Sequence, residues 1–166
     1  MRVTMARAAS KVSSLLLLLL LLGSCDDKVY HKFYCVPDSW NNRDTLTFTI
    51  SYPYTDLQLC DAYVELRHTH RYPCKRLWLR TQIHHTAYDS VTTDTICCEI
   101  FDSLGRQKGA SAGLLHQTSH KLAPIELSSK DTVTISLTHI MNDCIEGLCD
   151  VGIRVERCGR HQLSGN

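Results

Sequence analysis

The chain has 166 residues, 43% hydrophobic and 21% charged, with 18 Lys and Arg against 17 Asp and Glu. Acids and bases are interspersed and the net charge is +1. There is no basic stripe with aromatic platforms, so nucleic acid is not an expected partner. The length suits one domain with its own core and is short for two.

Arg2, Arg7 and Lys11 precede the apolar run from Val12 to Leu22, and Asp26-Asp27 follow soon after it. The run has the length of a signal-peptide core and falls short of the roughly 20 residues of a spanning helix. It closes on Leu22-Gly23-Ser24-Cys25, which resembles a bacterial lipobox. In that chemistry the Cys25 thiol takes a diacylglyceryl group, the chain is cut before Cys25, and the new amino group is acylated, commonly with palmitate. Each buried methylene is worth about 0.8 kcal/mol, so two or three acyl chains make a lasting anchor. The expected organisation is a lipoprotein signal peptide over 1–24, an acylated N-terminus and short linker over 25–29, one domain over 30–158, and a tail over 159–166.

Trp40 comes just before the first clear strand pattern. It either plugs one end of the domain or presents a binding face, and burial statistics favour the first. In residues 45–52, Leu46, Phe48, Ile50 and Tyr52 alternate with Thr and Ser, the mark of a half-buried strand. Further strands are expected from Ala62 to His68, over 76–85 with Trp78 in the core, over 93–101, and briefly over 124–127. The turn Asp102-Ser103-Leu104-Gly105 closes the pattern over 93–101. Ser111 to Thr118 is the best helical candidate, and a weak one, because Gly113 lies inside it. Residues 131–140 and 150–157 alternate again. In the last, Val151, Ile153 and Val155 are expected inward, while Arg154 and Glu156 face solvent. On that reading Arg154→Ala costs within about 0.5 kcal/mol unless Arg154 marks an interface. Short strands at regular spacing predict an all-β antiparallel β-sandwich, jelly-roll or immunoglobulin-like, with a β-barrel as the alternative.

Of nine cysteines, eight remain once Cys25 is acylated: Cys35, Cys60, Cys74, Cys97, Cys98, Cys144, Cys149 and Cys158. An exported chain lives where disulfides form, and eight thiols allow about a hundred complete connectivities, so spacing selects none. Cys97 and Cys98 should point to opposite faces of a strand. Cys144 and Cys149 flank a turn at Glu146-Gly147 and are read equally well as a small disulfide loop or as two unbridged thiols. His68, His70 and Cys74 are close in sequence, but a structural zinc site needs a tighter set of four ligands, so a polar strand end is favoured. His84 and His85 are expected at the surface. The chain lacks Gly-x-Ser-x-Gly, a Gly-rich phosphate loop and His-Glu-x-x-His. Neither an enzyme nor a cofactor or metal is expected.

The run HIMNDCIEGLCDVGIRVER, 139–157, resembles the closing segment of the gliding motility lipoprotein (GldH) family. Met141, Gly147, Asp150, Val151, Gly152, Ile153, Arg154 and Glu156 fall on its pattern, while Asn142 stands where Arg is usual. Upstream, RHTHRYPCKRLWL matches at Arg67, Thr69, Tyr72, Pro73, Leu77, Trp78 and Leu79, with His68 in an Asn position. Asp94-Thr95, Gly105-Arg106 and Trp40 also match, and Gln107 replaces a usual Trp. The resemblance covers almost all of the mature chain. It implies a lipid-anchored envelope protein of the Bacteroidota, in the outer membrane with the leaflet undecided. Its partners would be proteins of the gliding or type IX secretion apparatus. Acidic residues after the lipidated cysteine, here Asp26-Asp27, resemble the sorting pattern of such lipoproteins and are read equally as the start of a linker. The alternative function is a glycan- or small-ligand-binding envelope lipoprotein. The candidate interface residues are Trp40 and Arg154.

Overall fold

A computed structural model describes residues 28–36, 40–53, 55–142 and 145–158. The expected signal peptide, Cys25, Cys144 and the tail 159–166 lie outside the described residues. Among the described residues there are ten strands: β1 (Lys28–Cys35), β2 (Leu46–Ser51), β3 (Gln58–His68), β4 (Arg76–His85), β5 (Ser90–Glu99), β6 (Ala110–Ala112), β7 (Leu115–Lys121), β8 (Ile125–Leu127), β9 (Thr132–His139) and β10 (Leu148–Arg157). Among the described residues there is no helix, and so none long and apolar enough to cross a membrane.

All pairings are antiparallel. One sheet runs β1-β10-β3-β7-β6, and β8 continues the β7 side of β3; the other runs β2-β9-β4-β5. Leu122-Ala123-Pro124 separates β7 from β8, and the Leu122 amide keeps the ladder to Ala62 at 2.8 Å. The apolar residues of the two sheets form one cluster. Ala62, Val64 and Leu66 from β3 and Val151, Ile153 and Val155 from β10 come from the first sheet. Phe48 and Ile50, Leu77 and Leu79, and Val133, Ile135 and Leu137 come from the second. The period-two patterns of β2, β9 and β10 therefore set the buried phase as expected. At ~25 cal/mol per Å2 of apolar surface, this shared core is the main stabilising term.

Three features depart from the sequence reading. Strand β1 gave no pattern because it is an edge strand with mixed faces: Tyr34 packs on Phe48 at 4.9 Å, while Lys32 beside it is exposed. The helical candidate is a hairpin, β6–β7, in which Ala112 pairs with Leu115. Its two-residue turn needs positive φ, and Gly113 supplies it at 64°. Trp78 is not core: it has the opposite phase to Leu77 and Leu79 and is 41% exposed on the outer face of the second sheet.

Candidate functional site on the outer face of the closing strand

Strand β3 is central in the first sheet, between β10 and β7. With Ala62, Val64 and Leu66 inward, alternation turns Tyr63, Glu65 and Arg67 outward. The same rule turns Asp150, Gly152, Arg154 and Glu156 outward from β10, so the polar half of the family-like closing segment meets β3 there. Glu65 is only 3% exposed despite its place on the outer face. Arg154 Nε donates to its Oε1 at 2.7 Å. On Oε2, His31 Nε2 of β1 lies at 2.8 Å and Gln117 Nε2 of β7 donates at 3.3 Å. Arg154 also donates to Ser119 Oγ at 3.2 Å, pairs with Glu156, and lays its guanidinium over Tyr63 at 4.2 Å from the ring centre. Burial works against the charge of Arg154, and Glu65 and Glu156 outweigh it, so its pKa is held above the ordinary value.

A second guanidinium extends the plate. Arg67 Nε donates to Gln117 Oε1 at 2.9 Å, and Arg67 stacks over Phe33 at 3.7 Å. Its Nη1 is 3.8 Å from Asp150. Phe33 lies against Gly152, where an added Cβ would come within 2.5 Å of the ring. Glycine at 152 is what lets the aromatic ring lie flat on the strand. Beside the plate, Arg67, Ala110, Ser111, Ala112, Leu115 and Gln117 line an open cavity of about 320 Å3.

Arg154 thus does not behave as the solvated surface residue expected from alternation. Its side chain is 16% exposed and is tied into the network. The sequence had no signal for Glu65, His31, Phe33 and Gln117 as a group, because it does not show which strands pair. The other candidate, Trp40, lies elsewhere and is 3% exposed; its indole N–H donates to the Asp44 carbonyl at 3.1 Å, and its ring meets His139 edge-on at 4.8 Å.

Among the cysteines, Cys74 is disulfide-bonded. Cys35, Cys60, Cys97, Cys98 and Cys158 are free thiols, and the Cys149 thiol donates to the Gly147 carbonyl at 3.7 Å. Cys98 faces the core and Cys97 the outside, so the adjacent pair diverges. His68 is fully buried, and burial pushes its pKa down. His70 lies past the strand end in an exposed turn. His85 is not a solvated surface residue but sits 2.7 Å from buried Asp131, whereas half-exposed His84 is 3.4 Å from Asp89. Among the described residues no three His, Cys, Asp or Glu side chains converge as metal ligands.

Fold and surface together define a small all-β domain of two antiparallel sheets that presents a charge-locked plate on its closing strand. The profile of the GldH lipoprotein family matches residues 28–155, and the chain belongs to that family. Membership gives it a lipid-anchored place in the cell envelope and an association with gliding motility. No curated protein matches the chain. Among solved structures it is similar to Eiger TNF from S. frugiperda, at 11% identity over 71% of this chain and 69% of that one, with a TM-score of 0.26. It is also similar to the infectious bursal disease virus VP2 subviral particle (12% identity, 80% and 34% coverage, TM-score 0.30). A third is dimeric latent PorU from Porphyromonas gingivalis (10% identity, 81% and 13% coverage, TM-score 0.30). The chain spans well under two thirds of the VP2 and PorU chains.

Proposed function

We propose that the chain is an envelope lipoprotein, held at the outer membrane through acylated Cys25, that supports gliding or type IX secretion machinery by protein contacts and without catalysis. The observation that carries this reading is the state of Glu65. A general base needs a lone pair within reach of a substrate proton. Both oxygens of Glu65 are committed to Arg154, His31 and Gln117, beneath their side chains. Such a plate holds shape and charge in fixed positions, which suits docking of a partner protein. The cavity beside Arg67 offers a notch for a partner side chain.

The test is a strain lacking the chain, complemented with wild type or with Lys121→Glu; Lys121 is exposed on β7 opposite Tyr63, at the rim of the plate, and pairs with Asp61 at 2.9 Å. The proteins that reach the cell surface and medium are compared by mass spectrometry. The proposal expects the deletion to deplete them, and Lys121→Glu to do the same at normal abundance of the lipoprotein. An unchanged surface and secreted proteome in the deletion strain would overturn it.

A further inference from the structure

The outer face of the second sheet differs from the plate in its charge pairing. Along β4, Trp78, Arg80, Gln82 and His84 follow at every second residue and point away from the core, about 20 Å from first to last at ~3.4 Å per residue. The register sets hydroxyl groups on both sides of this row. Arg80 lies between Thr95 and Thr138, Gln82 between Thr93 and Ser136, and His84 between Val91 and Thr134. Thr47 and Thr49 of β2 continue the last two rows. Trp78 is opposite Cys97.

Arg154 and Arg67 on the first sheet each face an acid. Among the described residues Arg80 has neither a hydrogen bond nor an ion pair from its side chain, and the rows of Trp78, Arg80 and Gln82 carry no carboxylate. Acids on the same face sit at its two ends, Glu99 at 3.6 Å from Arg76 and Asp89 at 3.4 Å from His84, while Asp94, opposite inward-facing Thr81, turns its carboxylate to the Thr95 amide at 2.7 Å. The face therefore combines an exposed indole, an uncompensated guanidinium one step along the strand, an amide, and a bed of hydroxyls.

A single exposed apolar residue needs no explanation; this combination has a definite chemistry. An indole face stacks on the C–H face of a sugar ring. A guanidinium pairs with a carboxylate through two parallel hydrogen bonds. Gln and Thr offer donors and acceptors for ring hydroxyls. Trp78 lies between Cys97 and the exposed Ile140; three side chains make a small apolar patch for the centre of a protein interface, and hydroxyl rows separate it from Val91. Single-stranded nucleic acid would need several aromatic platforms along a basic groove. The flat, open row suits an extended chain rather than an enclosed small molecule.

We propose that this face binds a carboxylate-bearing polysaccharide, with Trp78 stacked on one ring and Arg80 paired with a uronate carboxylate. The inference goes beyond the protein-contact reading and uses the opposite side of the domain, so either can fail alone.

The test uses the full lipidated chain in detergent, run by affinity electrophoresis through gels containing alginate, polygalacturonate, their carboxyl-reduced forms, or phosphate-bearing lipopolysaccharide. At least one uronate polymer should retard the wild type, and its reduced form should do so far less. Trp78→Ala should weaken retention roughly tenfold, the scale of one lost stacking contact. Arg80→Gln should abolish the preference for the uronate polymer over its reduced form. Both positions are exposed, so both variants should keep the wild-type urea midpoint, and Lys121→Glu should keep wild-type retention. As a second readout, the uronate polymer should shield wild-type fluorescence from acrylamide, since Trp78 is the exposed one of the two tryptophans. The proposal is overturned by absence of retardation with both uronate polymers, by retention that survives both substitutions, by equal retention on the reduced polymers, or by retention on lipopolysaccharide alone.

Discussion

Arg154 Nε lies 2.7 Å from Glu65 Oε1, yet the two residues are not direct neighbours across the ladder. The register places Arg154 against Tyr63 and Glu65 against Gly152. Glycine leaves the space opposite Glu65 without a side chain of its own. The carboxylate reaches diagonally to Arg154, and the guanidinium covers Tyr63, its direct partner. Diagonal pairs of this kind are within reach of long side chains.

The first prediction follows from that pair. Removing one partner of a largely buried ion pair costs about 3–5 kcal/mol, because the other charge is left unpaired. Arg154→Ala should therefore destabilise the domain about as much as Ile153→Ala, for which loss of a buried side chain costs about 2–5 kcal/mol. Replacing both partners, as Glu65→Leu with Arg154→Met, should recover most of the loss. Urea melts of the three variants and wild type decide it; an Arg154→Ala midpoint close to wild type would mean that the network contributes little.

Gly152 is the second case. An added Cβ would stand 2.5 Å from the Phe33 ring and 2.9 Å from the Lys32 carbonyl oxygen. Overpacking of this kind costs about 1–3 kcal/mol. Gly152→Ala should be destabilising, and Phe33→Ala in the same chain should relieve part of the effect, giving a favourable coupling in a double-mutant cycle. Purely additive losses would show that the ring is not what the new methyl group meets.

Asp131 links stability to pH. Burial alone would raise its pKa, but the Ala87 amide at 2.9 Å, His85 at 2.7 Å and the Thr86 hydroxyl at 3.1 Å outweigh it and hold it below the ordinary 3.8. A carboxyl whose folded pKa is depressed adds stability that is fully present above its unfolded pKa. That stability is lost as pH falls through the folded pKa. Wild type should lose stability below about pH 4 more steeply than Asp131→Asn, which should be weaker at neutral pH. Parallel acid dependences in melts from pH 7 to pH 2 would remove Asp131 from the account.

Thiol reactivity should follow burial. Burial pushes Cys98 up to about 12 and Cys60 up to about 11, with Cys97 and Cys158 adding to the respective shifts. Cys35 is exposed. The thiolate is the reactive form. Iodoacetamide on the native protein at pH 8 should label Cys35 first and reach Cys60 and Cys98 only on unfolding, while Cys74 should need reductant as well. Peptide mapping reads the order, and early labelling of Cys98 would contradict the packing.

Lipidation is tested by fatty-acid labelling in cells. Cys25→Ser should abolish the label and leave an unprocessed or soluble chain. Equal label in the variant would sink the lipobox reading.

Alternation along single strands already determined much of this molecule. Apolar residues at every second position of 45–52, 131–140 and 150–157 fixed which side chains enter the core, because a strand has two faces and burial selects one. The matches at Trp78, Asp150, Gly152 and Arg154 carried the family, as short patterns in order can. Alternation says nothing about what lies beyond a strand's edges, so Arg154 read as solvated surface until β3 placed Glu65 beside it. Edge strand β1, with its mixed faces, gave no period, and yet it supplies His31 and Phe33. Trp78 looked like core by residue type, and its phase, set by Leu77 and Leu79, turned it outward. Which charges are paired, and which guanidinium stays unpaired, depends on contacts between residues far apart in the chain. Only the register of neighbouring strands brings Glu65 to Arg154 across 89 positions, and only the same register leaves Arg80 among hydroxyls.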